Sequence, residues 1–372
     1  MKKMHLLILT WAALLFVPGC NKPVYIEKQQ FVLIEGIDLD EHNKLVVYTS
    51  SPVFSKEAKE KYKITSATAH SMRDSKAKIN SKTIGSIAYG KTQTVLIGKK
   101  LLLQRNAFPY LDVLFRDPRN EINANVIVVN GTVKEVMYAN MSDKGRIGVV
   151  INDQAESTFK NSNSVQTSLQ QFHKQMLDKR ATPYLSEMKV EKNDLVMSGT
   201  ALLHKDGTYA ASLNNKETSL LLLIQRNTKN TISLTFHLDP KRFHTDEEMS
   251  YVSFDIKKVK YNLKTKFAEN HFTIDMQMKV QINLSERMFS LDLEKKSKQL
   301  EQAISQELTK ECNALIKKAQ KHQVAPFGFG HYVRAHDYKN WKKVQDDWGK
   351  ALSEATVNIS TKVIIKNIGV TE

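Results

Sequence analysis

Few residues of this 372-residue chain have the type and spacing that chemistry needs. Asp38 and Asp40 flank Leu39 near a bend and could hold a cation, yet carboxylates beside a turn are expected to be solvated. His331 and His336 stand five apart with Asp337 beside the second. That interval does not align side chains on one helix face, so no metal site is expected. The run Thr245-Asp246-Glu247-Glu248 reads as a polar linker and not as a paired acid and base. The sequence has no G-x-S-x-G, H-E-x-x-H, C-x-x-C, Walker-type loop or G-x-G-x-x-G. The expectation is no catalytic residue, no cofactor-binding residue and no metal ligand.

The two cysteines divide the remaining chemistry. Cys312 falls on the apolar stripe of a helix and is expected to be a buried, inert thiol. Cys20 closes a different pattern. Lys2 and Lys3 precede the apolar run Leu6 to Val17, broken only by Thr10, and the run ends in Val17-Pro18-Gly19-Cys20. The run is shorter than the roughly 20 residues a spanning helix needs, and it fits the core of a secretory signal. A small residue directly before a cysteine resembles the bacterial lipobox, with Pro18 as an unusual occupant of its middle position. In such signals the cysteine sulfur is alkylated with diacylglycerol and the chain is cut before it. Residues 1–19 are therefore expected to be a lipoprotein signal peptide and Cys20 the lipid-modified residue. Two acyl chains anchor stably where one binds marginally. With Cys20 so used, no intramolecular disulfide is expected.

Charge and length are consistent with an anchored, multi-domain protein. The formal charge is +16, and it falls by two when Lys2 and Lys3 leave. A basic surface suits an anionic membrane face. Nucleic acid is not an expected partner, because no recognition motif accompanies the charge. The chain exceeds the length one hydrophobic core usually serves, so several domains are expected.

The elements that carry these residues read as follows. Residues 20–30 form a lipid-anchored tether. Residues 31–185 are expected to be an N-terminal α/β domain, with strands at Phe31–Asp40, Leu45–Thr49, Thr92–Ile97 and Asn123–Asn130. Residues 51–66 read as an exposed loop. Helices are expected over Thr68–Ile84, over Lys99–Phe115 with an interruption near Pro109, and over Val165–Arg180. Residues 186–247 read as a middle α/β domain: a hairpin of Val196–Leu203 and Tyr209–Leu213 around Asp206-Gly207, a helix at Glu217–Arg226 and a strand at Ile232–Leu238. Residues 248–372 read as a C-terminal α+β domain. Strict alternation over Val259–Phe267 and Phe272–Leu284 predicts a long hairpin with one wet face. A helix over about Leu291–His322 and a last strand at Val357–Ile365 follow, with Trp341 and Trp348 on one face of a short helix between them. Lys258, Lys260, Lys264 and Lys266 on the wet face are expected to guard an edge strand from stray pairing. The fold class is mixed α/β and α+β in three domains, with mostly antiparallel or mixed sheets covered by helices.

These pieces in order resemble the Ger(x)C family, the C subunits of spore germinant receptors. The likeness rests on the lipobox, on Gly36-Ile37-Asp38, on the block from Thr92 to Val133 with Leu114-Phe115-Arg116-Asp117, on Gly199-Thr200-Ala201, and on Phe327-Gly328-Phe329-Gly330 after the long helix. One departure is Asn21-Lys22 after the cysteine, where family members often carry Trp-Asp. The resemblance implies a non-enzymatic lipoprotein on the outer face of the spore inner membrane, assembled with A-type and B-type membrane subunits. The alternative is an extracytoplasmic solute-binding lipoprotein of a transport system.

Overall fold

The computed structural model describes Tyr25 and residues 29–54, 57–104, 107–139 and 145–367. Cys20 and the expected signal peptide lie outside the described residues. In chain order the first part contains β1 (Gln29–Phe31), β2 (Ile34–Leu39), β3 (Leu45–Pro52), β4 (Tyr62–Ala69), α1 (Met72–Asn80), β5 (Ser86–Ala88), β6 (Thr94–Gly98), α2 (Lys99–Leu102), α3 (Phe108–Arg116) and β7 (Asn125–Val129). It continues with α4 (Val133–Met137), α5 (Ile147–Lys160), α6 (Leu169–Leu177), β8 (Tyr184–Glu191), β9 (Asp194–Leu203), β10 (Tyr209–Leu213) and α7 (Asn215–Ile224).

One eight-stranded sheet in the order β10-β9-β8-β7-β6-β2-β3-β4 runs through these residues. Its centre, β2, β6, β7 and β8, is parallel, and its flanks are antiparallel. The runs TVLIG and NVIVV have no polar alternation because helices cover both faces of the central strands. One face packs Ile37, Val47, Val95, Ile97, Val126 and Val128 against Ile79 of α1, Leu101 of α2, Leu111 and Leu114 of α3 and Phe172 of α6. The other packs Ile34, Leu96 and Ile127 against Val133 and Val136 of α4 and Ile147 and Ile151 of α5. Side-chain caps fix the starts of α4, α6 and α7: Thr132 with Glu135, Ser168 with Gln171 and Asn214 with Glu217 each form a capping box. The expected boundary at 185/186 falls inside β8, which hydrogen-bonds to β7 on one side and to β9 on the other.

The second part contains β11 (Ile232–His237), α8 (Pro240–Phe243), β12 (Tyr251–Ala268), β13 (His271–Arg287), α9 (Leu293–Lys321), α10 (Phe329–His336), α11 (Tyr338–Val344), α12 (Trp348–Ser353) and β14 (Thr356–Asn367). The sheet order is β11-β12-β13-β14, with β14 parallel to β13 and α9 in the crossover between them. The long hairpin and long helix are as the alternation predicts. Glu269 and Asn270 at the hairpin turn both have positive φ, 49° and 62°, the conformation that matches strand twist in a two-residue turn. Apolar residues of β12 change from even to odd positions between Ile256 and Val259 because the register shifts between Ile256 and Lys258. Strand β11 pairs only with residues 251–256 of β12. The lysine-bearing stretch beyond it is therefore an edge on that side among the described residues.

Helix α9 joins the sheet in two ways. Leu300, Ile304, Leu308, Cys312, Leu315 and Ala319 are buried in the core. The adjacent stripe Glu301, Ser305, Thr309 and Asn313 accepts backbone N–H groups from Ile365, Val363, Thr361 and Ile359 at 2.8, 2.8, 3.0 and 3.1 Å. Four residues of helix rise about 6.0 Å and two of strand about 6.6 Å, so the two repeats stay in step over this length. The helix thus closes the outer edge of β14.

Three local expectations are refined. The supposed loop 51–66 ends in β4, which pairs with β3 throughout. The interruption expected near Pro109 is present, since α2 ends at Leu102 and α3 begins at Phe108, and Pro109 itself sits in the first turn of α3, where a missing N–H costs nothing. Trp341 and Trp348 lie in two helices, α11 and α12, joined by a 3-10 turn at Gln345–Asp347, although both rings are buried.

Candidate functional site

The residues singled out in the sequence do not converge on one reaction centre. Asp38 is not a solvated turn residue. Its carboxylate is 4 % exposed and accepts the N–H groups of Leu39 and Val133, each at 2.8 Å. Val133 begins α4, so the carboxylate sits at a helix N-terminus 95 residues downstream. Burial pushes the Asp38 carboxyl above its usual range, and the two N–H groups pull against that shift. Glycines surround it for steric reasons: a Cβ on Gly36 would stand 2.5 Å from Val133 Cγ1, and one on Gly98 2.0 Å from Asp38 Oδ1. Gly36-Ile37-Asp38 is therefore a clamp between β2, β6 and α4. Asp40 does behave as expected, accepting from the backbone of His42 and Lys44 in an exposed turn, both at 2.9 Å.

His331 Nε2 lies 3.8 Å from Asp178, while His336 bonds its Nδ1 to the Tyr332 carbonyl and stacks on the Tyr332 ring. The two rings have different partners. Among the described residues no group of three or more His, Cys, Asp or Glu could hold a metal ion. Cys312 is fully buried, and burial pushes its thiol up to about 12. Thr245 to Glu248 precede and enter a short exposed turn.

Arg116 and Asp117 have separate tasks. Arg116 pairs on the surface with Asp112 at 2.5 Å. Asp117 accepts two bonds from the Arg119 guanidinium, both at 2.9 Å, with Lys76 at 4.0 Å. The Arg119 bonds hold its carboxyl at about 2. Lys76 extends over the Tyr89 ring, 4.0 Å from its centre. Behind them Glu35 is 2 % exposed, and burial raises its pKa against the pull of Lys76.

A third buried carboxylate, Glu187, escaped the sequence reading. It accepts from Asn130 Nδ2 at 3.1 Å, from the Tyr209 hydroxyl at 2.7 Å and from Ser212. Lys99 reaches Asn130 at 3.2 Å and lies over the Tyr209 ring. The cluster ties α2, β7, β8 and β10 together with its carboxylate satisfied.

A junction lies between the two sheets. A cleft of about 430 Å³ is lined by Asp178, Tyr184, Arg226, Phe327, His331 and Tyr332, among others. Its polar groups are engaged: Asp178 with Arg180 at 2.7 Å, Arg226 with Tyr332, and Gln225 with the Pro326 carbonyl at 2.7 Å. Beside it Ala325 donates to Thr182 Oγ1 at 2.9 Å, and Thr182 N–H donates to the Ala325 carbonyl at 3.2 Å. A Cβ on Gly330 would meet the Arg180 carbonyl at 2.3 Å. The Phe327-Gly328-Phe329-Gly330 segment is thus where the C-terminal region rests on the first sheet.

Fold and sites together define a mixed α/β protein whose buried charges fasten elements to one another, with helices covering each large sheet. Residues 22–190 match the family described as the spore germination protein N-terminal domain, and residues 198–369 match the one described as spore germination B3/GerAC like, C-terminal. With both parts matched in order, the chain belongs to the GerAC-like family of spore germination proteins, a non-catalytic family. It is 23 % identical over 358 residues to spore germination protein GerQC of Bacillus cereus, spanning 96 % of this chain and 97 % of that one. Among solved structures it resembles the GerBC protein, with TM-score 0.55 and 16 % identity over 90 % of this chain and 97 % of the other, a likeness of fold.

Proposed function

We propose that this protein is the lipid-anchored C-type subunit of a nutrient germinant receptor. Diacylglyceryl Cys20 holds it at the outer face of the spore inner membrane, and it assembles there with the A-type and B-type membrane subunits. Its role is to connect and couple, not to transform a substrate. One observation carries the reading: the ordered match over residues 22–190 and 198–369 stands directly behind a signal that ends in Gly19-Cys20. The formal charge of +16, less the two of Lys2 and Lys3, supports placement against anionic headgroups. Among the described residues no helix is long and apolar enough to cross a membrane.

The test is co-purification from spore inner membranes. The wild-type chain is expected to bring down both membrane subunits, and Cys20→Ala is expected to lose them along with nutrient germination. A Cys20→Ala chain that still assembles and supports germination would overturn the role of the anchor. Micromolar binding of an amino acid or sugar by the isolated chain would instead favour a solute-binding lipoprotein.

A further inference from the structure

We propose that the loop carrying Ile84 seats the protein on an anionic bilayer, next to the point where the tether enters the fold. The inference rests on the anchoring of Cys20 and adds the face that meets the lipid.

Register supplies the geometry. β1 and β5 are parallel, with Gln29 opposite Ser86, Gln30 opposite Ile87 and Phe31 opposite Ala88. In a parallel pair the residues that precede both strands emerge at the same end. The tether leading to Gln29 and the loop leading to Ser86 therefore share one end of the molecule. Ile84 is two residues before Ser86, so its Cα lies within about 7.6 Å of it. The nine residues from Cys20 to Gln29 span at most about 32 Å when extended. An acylated Cys20 thus keeps this end of the fold close to the membrane.

Surface chemistry makes the same selection. Ile84 is 95 % exposed, more than any other large hydrophobic residue among those described. Other exposed candidates are placed differently: Phe54 lies beneath the Arg146 guanidinium, 5.4 Å from its ring centre, and Leu177 closes α6 beside Asp178 at the junction cleft. Around Ile84 the charge is basic. Lys82 is exposed two residues away. Lys76 and Arg119 line a cavity of about 500 Å³ together with Gln29 and Ser86, where Asp117 is the one acidic lining residue. An exposed aliphatic side chain two residues from an exposed lysine is matched to a headgroup layer, where the apolar group enters the lipid and the cation meets phosphate.

The experiment uses the full acylated chain in vesicles of phosphatidylglycerol and phosphatidylcholine that also carry a nitroxide-labelled lipid. Ile84→Cys and Leu177→Cys are each labelled with an environment-sensitive fluorophore; both positions are on the surface, Cys20 is blocked by acylation and Cys312 is buried. The expected result is blue-shifted emission and strong nitroxide quenching at position 84, with neither at position 177. Emission at 84 as water-exposed and unquenched as at 177, in a sample whose mass spectrum shows acylated Cys20, would overturn the proposal and leave the anchor standing. An unacylated Cys20 would remove the anchor and the proposal together, and the mass spectrum tells the two failures apart.

Discussion

Asn313 treats Ile359 as a neighbouring strand would: its Oδ1 accepts the Ile359 N–H at 3.1 Å and its Nδ2 donates to the Ile359 carbonyl at 2.8 Å. Glu301, Ser305 and Thr309 continue the same contact along β14. A helix face here does the work that usually falls to another strand, and it removes an open edge that could pair with a second chain.

Asn313→Ala is expected to leave both Ile359 groups without their protein partners and to destabilise the chain by about 1–3 kcal/mol. A urea titration followed by circular dichroism reads the shift in midpoint. Ser305→Ala should lower the midpoint further, because it opens the Val363 N–H along the same edge. An unchanged midpoint in the double variant would show that water replaces the stripe without cost.

Glu35 and Asp117 are expected to move stability with pH in opposite directions. Burial raises the Glu35 pKa above its ordinary 4.5 in the folded chain. The folded state therefore holds that proton more tightly, and stability falls as pH rises from about that value through the folded one. Asp117 is held at about 2 against an ordinary 3.8, so the stability it contributes is complete above 3.8 and is lost as pH falls toward 2. Glu35→Gln should raise the urea midpoint at pH 7 and lose that gain near pH 4. Asp117→Asn should lower the midpoint at pH 7 and match wild type near pH 2. Differences from wild type that do not change with pH would contradict both assignments.

Gly330→Ala places a Cβ against the Arg180 carbonyl, a backbone atom that cannot swing aside. The expected cost is about 2–3 kcal/mol, felt first at the junction between the sheets. Limited proteolysis of the variant should cut around residues 323–330 while residues 34–213, joined in one sheet, persist as a single fragment. Early cleavage near residue 185 would show that this sheet does not behave as one unit.

Legibility in the sequence followed how local each signal was. The hairpin of β12 and β13 and the apolar stripe of α9 depend on periodicity within one segment, and both were readable. Strand β8 was not: Ser186, Glu187 and Lys189 leave it no apolar run, and the bulge at Glu187 and Met188 breaks its alternation. Helix α5 shows only Ile147, Ile151 and Ala155 as a buried stripe, amid polar residues that dilute the pattern. Asp38 was misread because the N–H that it accepts from Val133 is 95 residues away, and no local feature announces that approach. The polar stripe of α9 carries no local signal of its role for the same reason, since its partners lie on β14 across the fold.

The account as a whole stands on Cys20. Intact-mass and peptide mass spectrometry of the chain recovered from spore inner membranes measures it directly. The prediction is a chain that starts at Cys20 and carries a diacylglyceryl thioether on its sulfur. A chain that retains residues 1–19, or that starts elsewhere with no acyl mass on Cys20, would contradict it.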